Sequence, residues 1–272
     1  MQLQIAGQHY DVGDQPIASG GEGEIYAISA ASVAKVYYQN LRTTERRQKV
    51  LALCDSYLNF SSRHADYLIA FPEAPAYEGV ASFNSIVGFS MVRYGYPTIA
   101  ELGFDLASGE FNANDGVKFT DETAVAFVYA LFDVVNRLHS ARIILGDINP
   151  GNIECQPGAR SPVIIDVDAA QIGGFSCPTT HEDYNDPRVT GRGGLGNNLF
   201  DFGSDVFALG VVCFEFLVGV RPHMLFVKPP KRDKENKANG VSSVKCWAEG
   251  RNYLAGLGIS YFDCPENDAI EA

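Results

Sequence analysis

One stretch constrains this chain more than any other. From Asp205 to Val220 it reads as an apolar helix that opens on an acid and carries one further charge, Glu215. That run is too short and too interrupted to span a bilayer. Earlier, Ile144-Leu-Gly-Asp-Ile-Asn-Pro-Gly-Asn152 reads as a tight loop that holds an acid, Asp147, close to an amide, Asn152. With 46% of the 272 residues hydrophobic, a sizeable core can form, either as one large domain or as two lobes.

The formal net charge is −12. Such a surface repels phosphate backbones and anionic lipid, so neither nucleic acid nor membrane is an expected partner. The six cysteines are scattered, with no C-x-x-C pair; this argues against zinc and for reduced thiols. The N-terminus lacks the basic start and apolar run of a signal peptide. A soluble, cytoplasmic protein is expected.

The first third reads as β-rich with one helix. Leu3 and Ile5 alternate with polar neighbours, and Ile25–Ile28, Val33–Tyr38, Tyr67–Phe71 and Ser85–Val92 are strand-like. Thr43-Thr44-Glu45 can cap a helix running to about Leu58, with Val50, Leu51, Cys54 and Leu58 as its stripe. After Gly95 the character changes. Thr120–Ser140 has strong helical spacing, and Ile143–Leu145 and Val163–Val167 are short strands flanking Asp147. The boundary falls near Tyr94–Thr98, giving units 1–94 and 95–272. The run Lys228–Gly240 is charged and aperiodic, which predicts a solvated loop, with a docking site as the alternative.

Gly20, Gly21 and Gly23 sit in Ile17-Ala-Ser-Gly-Gly-Glu-Gly-Glu-Ile-Tyr26. Alone they suit a plain β-turn. A dinucleotide-binding turn would run into a helix, with an acid further on; here a strand pattern follows and Thr43 stands near the acid's position. No Walker-type phosphate loop occurs. Lys35 lies in an apolar strand, where a charge is costly unless paired; a surface lysine on an edge strand is the plainer alternative. Asp147-Ile-Asn-Pro-Gly-Asn152 is also compatible with a simple turn. Asp166 and Asp168 end a buried-looking strand, where a bound cation would neutralise them.

Taken in order, these motifs resemble a divergent bacterial-type serine/threonine protein kinase domain, over roughly residues 15 to 223. The resemblance implies an α+β, bilobal fold: a β-rich N-lobe and a mainly α-helical C-lobe, the latter abbreviated or continued in further domains or partner proteins. It implies ATP and Mg2+ as cofactors and a protein substrate. The glycine loop would cover the phosphates, although Ala18 replaces its first glycine. Lys35 would orient the phosphates and pair with a helix glutamate. Glu45 is the one glutamate in that helix, while Gln48 has the better register. Met91 would back the adenine pocket, and Val92, Arg93 and Tyr94 would form the hinge beside it.

By the same resemblance Asp147 would accept the substrate's hydroxyl proton, and Asn152 and Asp166 would hold metal. Asp168 would be a further ligand or a turn former. Leu145, Gly146 and Asn149 replace the family's histidine, arginine and lysine. The Gly146 replacement argues against control by a phosphorylated activation loop. The literal Asp201-Phe202-Gly203 comes too late to be the metal motif. Pro178–Arg188 would position a peptide, with Arg188 where a glutamate is usual. Asp205 would hold the catalytic-loop backbone or cap its own helix. Two other readings stay open: a pseudokinase scaffold, and a small-molecule kinase of the aminoglycoside or choline type.

Overall fold

The computed structural model describes residues 1–61, 67–114, 116–158, 160–186, 189 and 200–224. It is an α+β structure. Before residue 93 lie strands β1 (Gln2–Ile5), β2 (Gln8–Asp11), β3 (Ala18–Ser19), β4 (Gly23–Ala27) and β5 (Ser32–Tyr37), helix α1 (Thr44–Ser61), and strands β6 (Leu68–Ile69), β7 (Ala74–Glu78) and β8 (Ile86–Val92). Seven of these strands form one sheet, ordered β2-β1-β7-β8-β5-β4-β3 and antiparallel throughout.

Two of the strands carry no strand signal in the sequence. β2 is Gln-His-Tyr-Asp; it forms because Ala6 and Gly7 both have positive φ, 48° and 79°, the two-residue hairpin geometry that matches strand twist. β7 contains Pro75, which lies opposite Phe89, and its register slips between Ala76 and Tyr77. A proline and a slipped register go together, since proline cannot donate to a ladder.

β5 is buried on both faces. Ala34 and Val36 join Leu3, Ile5 and Val87 on one side, and Tyr37 joins Ile86 and Phe89 on the other. Helix α1 closes that second side with Val50 and Cys54. Thr43 caps it, its hydroxyl accepting from Arg46 N at 3.2 Å. The expected stripe is only partly correct. Leu58 is 64% exposed, whereas Leu53 and Phe60 are buried. The helix runs past Leu58 to Ser61, and Leu53 and Phe60 turn toward the larger core instead.

After residue 98 come α2 (Ile99–Leu102), β9 (Phe104–Asp105), β10 (Glu110–Phe111), α3 (Asp121–Ser140), β11 (Ile143–Ile144), β12 (Ile153–Cys155), β13 (Pro162–Ile164), β14 (Gln171–Ile172) and α4 (Phe202–Val218). Ala124, Phe127, Leu131, Val134, Val135 and Leu138 give α3 its buried face. They meet Leu209, Val212 and Phe216 of α4 in the main core. β12 pairs with β13, and β13 pairs in parallel with β6.

Two boundaries differ from expectation. The strand read through Val167 stops at Ile164, because Asp166 adopts a left-handed conformation (φ 58°) and Val167–Ala169 is a 3-10 turn. Helix α4 starts at Phe202, with Asp201 as its cap accepting from Ser204 N at 2.8 Å. Asp205 is therefore one turn inside the helix and does not cap it. Among the described residues no helix is long and apolar enough to cross a membrane. Cys54, Cys155, Cys177 and Cys213 are buried free thiols. Cys246, Cys264 and the run Lys228–Gly240 lie outside the described residues.

Candidate active site

Strand alternation puts Lys35 and Tyr37 on the α1 side of the sheet. The Lys35 ammonium is buried and donates to Asp166 Oδ1 at 2.6 Å and to Asp168 Oδ1 at 2.8 Å. Glu22, from the glycine loop, is 3.8 Å away. Burial alone would weaken the amine's hold on its proton, but the charges of Asp168 and Asp166 outweigh it and hold the pKa above its ordinary value. The lysine is thus a fixed cation.

The two acids differ. Asp168 is 1% exposed and also accepts the Tyr37 hydroxyl at 2.8 Å on Oδ2. Burial pushes its carboxyl up, yet the Lys35 charge and the hydrogen bonds win and hold it below the usual range. Asp166 is pushed up to about 6 by burial and then by the Asp168 charge, with Lys35 opposing. Asp168 is the stronger acid of the two, and both meet Lys35 as carboxylates.

This corrects two expectations. Glu45 does not pair with Lys35: it is exposed in the first turn of α1, and Gln48 is exposed too. Asp168 is not placed as a metal ligand, because both its oxygens are taken by protein donors in a closed interior. It fills the pairing role that the resemblance assigned to a helix glutamate. The residue that α1 does turn inward is Lys49, 4% exposed, donating to Ala169 O at 2.9 Å and Ser176 O at 3.0 Å. Burial pulls its amine down to about 8.

The Asp147 loop hangs on Asp205. That carboxylate is 1% exposed and accepts Leu145 N and Gly146 N, each at 2.8 Å, and stands 2.9 Å from His139 Nε2. Gly146 has φ 72°, and a Cβ there would meet Cys177 at 2.8 Å. Burial raises the Asp147 carboxyl, with Asn149 and His181 opposing. Asn149 donates to Asp147 Oδ1 at 3.3 Å and caps the turn Pro150–Asn152 by accepting from Gly151 N. Asn152 Nδ2 donates to the Asp147 carbonyl at 3.0 Å. Asn152 also ties the loop to the second acid, its backbone carbonyl accepting Ile165 N beside Asp166 at 3.0 Å; the void of about 10 Å3 behind Asp147, Asn152 and Asp166 is walled mainly by aliphatic side chains such as Leu131, Val135 and Ile164.

The glycine loop joins two antiparallel strands. Ala18 pairs with Ile25 on β4, and Gly20 N donates to Gly23 O at 2.9 Å. A Cβ at Gly20 or Gly21 would meet nothing within 4 Å, whereas one at Gly23 would strike Val36 O at 2.4 Å. Gly23 is therefore required by the packing of β5, while Gly20 and Gly21 leave the approach to the loop clear. At the end of β8, Met91 packs with Val50, Cys54 and Phe89 on the Lys35 side. Val92 pairs with Ser32. Arg93 N donates to Ala31 O at 2.9 Å, so the sheet already uses that hinge amide. Tyr94 packs on Tyr96.

Several residues here carried no sequence signal of a role. Glu154 is buried and accepts Tyr96 N at 3.0 Å, tying the segment after the sheet to β12. Tyr37 was discoverable by position, being two residues from Lys35 on one strand face. A second cavity, about 380 Å3, lies beside Asn149, Pro150 and Gly151 and is walled by His181, Tyr184 and Glu215. Pro187 and Arg188 lie outside the described residues.

No family model matches the chain. A curated relative, Aurora/IPL1-related protein kinase 2 of Caenorhabditis briggsae, is 31% identical over 141 residues. The match covers 47% of this chain and 38% of the relative, so the chain spans well under half the length of that protein. Over that stretch the chain is similar to a protein kinase.

Proposed function

We propose that this protein binds Mg-ATP beside Lys35 and transfers the γ-phosphoryl group to a serine or threonine of a protein substrate. One observation carries the reading: Asn152 donates to the Asp147 carbonyl at 3.0 Å and its own backbone carbonyl accepts Ile165 N, beside Asp166, at 3.0 Å, while Lys35 reaches Asp166 at 2.6 Å. Phosphoryl transfer asks for little beyond this: a cation on the phosphates, oxygen ligands for a divalent metal, and an acceptor for the hydroxyl proton.

Asn152 and Asp166 fit magnesium by donor chemistry, since both offer oxygen and the Asp166 side chain is 43% exposed. Magnesium, when bound, would neutralise charge on the β- and γ-phosphates. The Asn152 amide nitrogen is committed to the Asp147 carbonyl, which leaves its oxygen as the metal-facing atom. Asp147, raised by burial, suits a proton acceptor better than an exposed carboxylate would. The substrate oxygen bonds to the γ-phosphorus, the bond to ADP breaks, and the hydroxyl proton goes to Asp147.

The test is phosphate transfer from radiolabelled ATP to mixed protein substrates. Wild type should incorporate label, and Asp147→Asn should lower the rate by roughly 100-fold or more, the scale of acid–base contributions. Label on a small alcohol with none on protein would reassign the substrate. A second reading, a nucleotide-binding scaffold without turnover, draws support from the ion pair of Asp166 with Lys35, which engages the acid that metal needs. Mg-ATP binding without incorporation, unchanged by Asp147→Asn, would establish it.

A further inference from the structure

Glu22 sits in the glycine loop, yet its side chain is only 15% exposed. It reaches inward. Oε1 accepts from Arg46 NH2 of α1 at 2.6 Å, and Oε2 lies 3.8 Å from Lys35 Nζ. The loop is held in that pose from behind: Tyr38 N donates to Glu22 O at 3.1 Å, and Tyr38 OH to Gly20 O at 3.1 Å. Arg46 is itself nearly enclosed, with its guanidinium 4.9 Å from the centre of the Tyr37 ring. Its NH1 atom is buried with no hydrogen-bond partner among the described residues.

These contacts do not suit a purely structural ion pair. A buried guanidinium normally spends all its donors, since each one left over costs about 1–3 kcal/mol. Arg46 leaves its NH1 group unspent while presenting NH2 to a carboxylate that is also close to Lys35. A carboxylate between two cations, offered by a loop with open space over Gly20 and Gly21, occupies the place where an anionic phosphate oxygen would meet the same two cations. The charge balance points the same way. Glu22, Asp166 and Asp168 set three carboxylates against Lys35 and Arg46. An incoming polyphosphate is repelled by that balance until one acid leaves, and Glu22 is the acid carried on a loop.

We propose that Arg46 is a second phosphate-binding cation beside Lys35, and that Glu22 is an internal competitor which must swing away for the phosphates to be held. The inference rests on the nucleotide-binding reading above. It makes Glu22 a brake on nucleotide affinity and gives Arg46 a function that its place in the first turns of α1 does not reveal.

Titration calorimetry with Mg-ADP, inorganic tripolyphosphate and adenosine, on wild type, Glu22→Gln, Arg46→Gln and Arg46→Lys, tests this. Glu22→Gln keeps the shape and removes the charge. It should tighten Mg-ADP and tripolyphosphate roughly tenfold, the usual scale of coupling between competing contacts, and leave adenosine unchanged. Arg46→Gln should weaken the two phosphate ligands at least about fivefold, again sparing adenosine, with Arg46→Lys partly restoring them. If wild type binds Mg-ADP and Glu22→Gln binds it equally well, the brake is overturned while the nucleotide site stands. If wild type binds neither Mg-ADP nor adenosine, the nucleotide reading fails and this inference with it. Should Arg46→Gln prove unfolded by thermal melting, the Glu22→Gln comparison decides alone.

Discussion

Tyr37 donates its hydroxyl to Asp168 Oδ2 at 2.8 Å, and Lys35, two residues back on the same strand face, holds the other oxygen at 2.8 Å. One strand therefore supplies both donors to one buried carboxylate. The lysine is oriented by the turn after β13 and not by helix α1. Movement of α1 would reach this ion pair only through Lys49, which holds Ala169 O beside Asp168 at 2.9 Å, whereas any change that unwinds Val167–Ala169 would break it directly.

Asp168→Asn should therefore be severe. It leaves the buried Lys35 with one acid instead of two, and the single remaining acceptor oxygen can serve only one of the two donors, Lys35 or Tyr37. Breaking a buried pair costs about 3–5 kcal/mol; with Asp166 still in contact, the lower end applies. Tyr37→Phe should cost less, on the order of 1.5 kcal/mol, the low end for a hydrogen bond to a charged group. Glu45→Gln, on the exposed face, should stay within about 0.5 kcal/mol of wild type. Urea unfolding midpoints at unchanged slope measure all three. A large effect at Glu45 with none at Asp168 would return the pairing role to the helix.

Lys49 gives a pH dependence with a definite sign. Burial pulls its amine from 10.5 down to about 8 in the folded protein. Between those values the unfolded chain binds the proton and the folded one does not, so stability rises with pH across the window. Below pH 8 both states are protonated and the contribution is flat. The difference in unfolding free energy between wild type and Lys49→Met should thus shift in favour of wild type from pH 8 to pH 10, by on the order of 2 kcal/mol. Comparing the two proteins cancels the tyrosines and other lysines that titrate nearby. A difference that does not change with pH would mean that Lys49 is not desolvated.

The local spacings were legible in the sequence, because each is enforced within one element or turn. α3 is readable from its apolar period, and the Asp147–Asn152 turn from Asn149, Pro150 and Gly151. What was not legible depends on distant partners or unusual backbone. Asp168 meets Lys35 across 133 residues, and it does so only because Asp166 turns left-handed and swings the next residues inward. Glu45 looked suitable by residue type, but the register of α1 turns Lys49 to the interior. β7 was hidden by Pro75, and β2 by its polar composition.

Asp205 should be the most damaging site in α4. It satisfies the amides of Leu145 and Gly146, in a place closed to water. Asp205→Ala leaves both donors buried and unpaired, at about 1–3 kcal/mol each, and frees the loop that carries Asp147. Asp205→Asn keeps one acceptor oxygen and should lose about half as much. In a phosphate-transfer assay both should lower the turnover rate with less effect on nucleotide affinity, since Lys35 is held independently. Equal losses of rate and affinity would point to global unfolding, which circular dichroism would reveal.

Gly146 decides whether the arginine that the resemblance expects there can be put back. The residue has φ 72°, and a Cβ would lie 2.8 Å from the Cys177 side chain, itself buried beneath the loop. A non-glycine residue in the left-handed region costs about 1–2 kcal/mol, and the collision adds overpacking of about 1–3 kcal/mol. Gly146→Arg should therefore destabilise by several kcal/mol in total and create no new control by phosphorylation. Gly146→Ala should cost roughly 2 kcal/mol, part of it recovered in the double variant with Cys177→Gly, which removes both the Cβ and the Sγ that lie at 2.8 Å and so relieves the contact but not the backbone strain. Thermal melts of the single and double variants separate the two terms. Full recovery in the double variant would show that the collision alone, and not the backbone, demands glycine at this position.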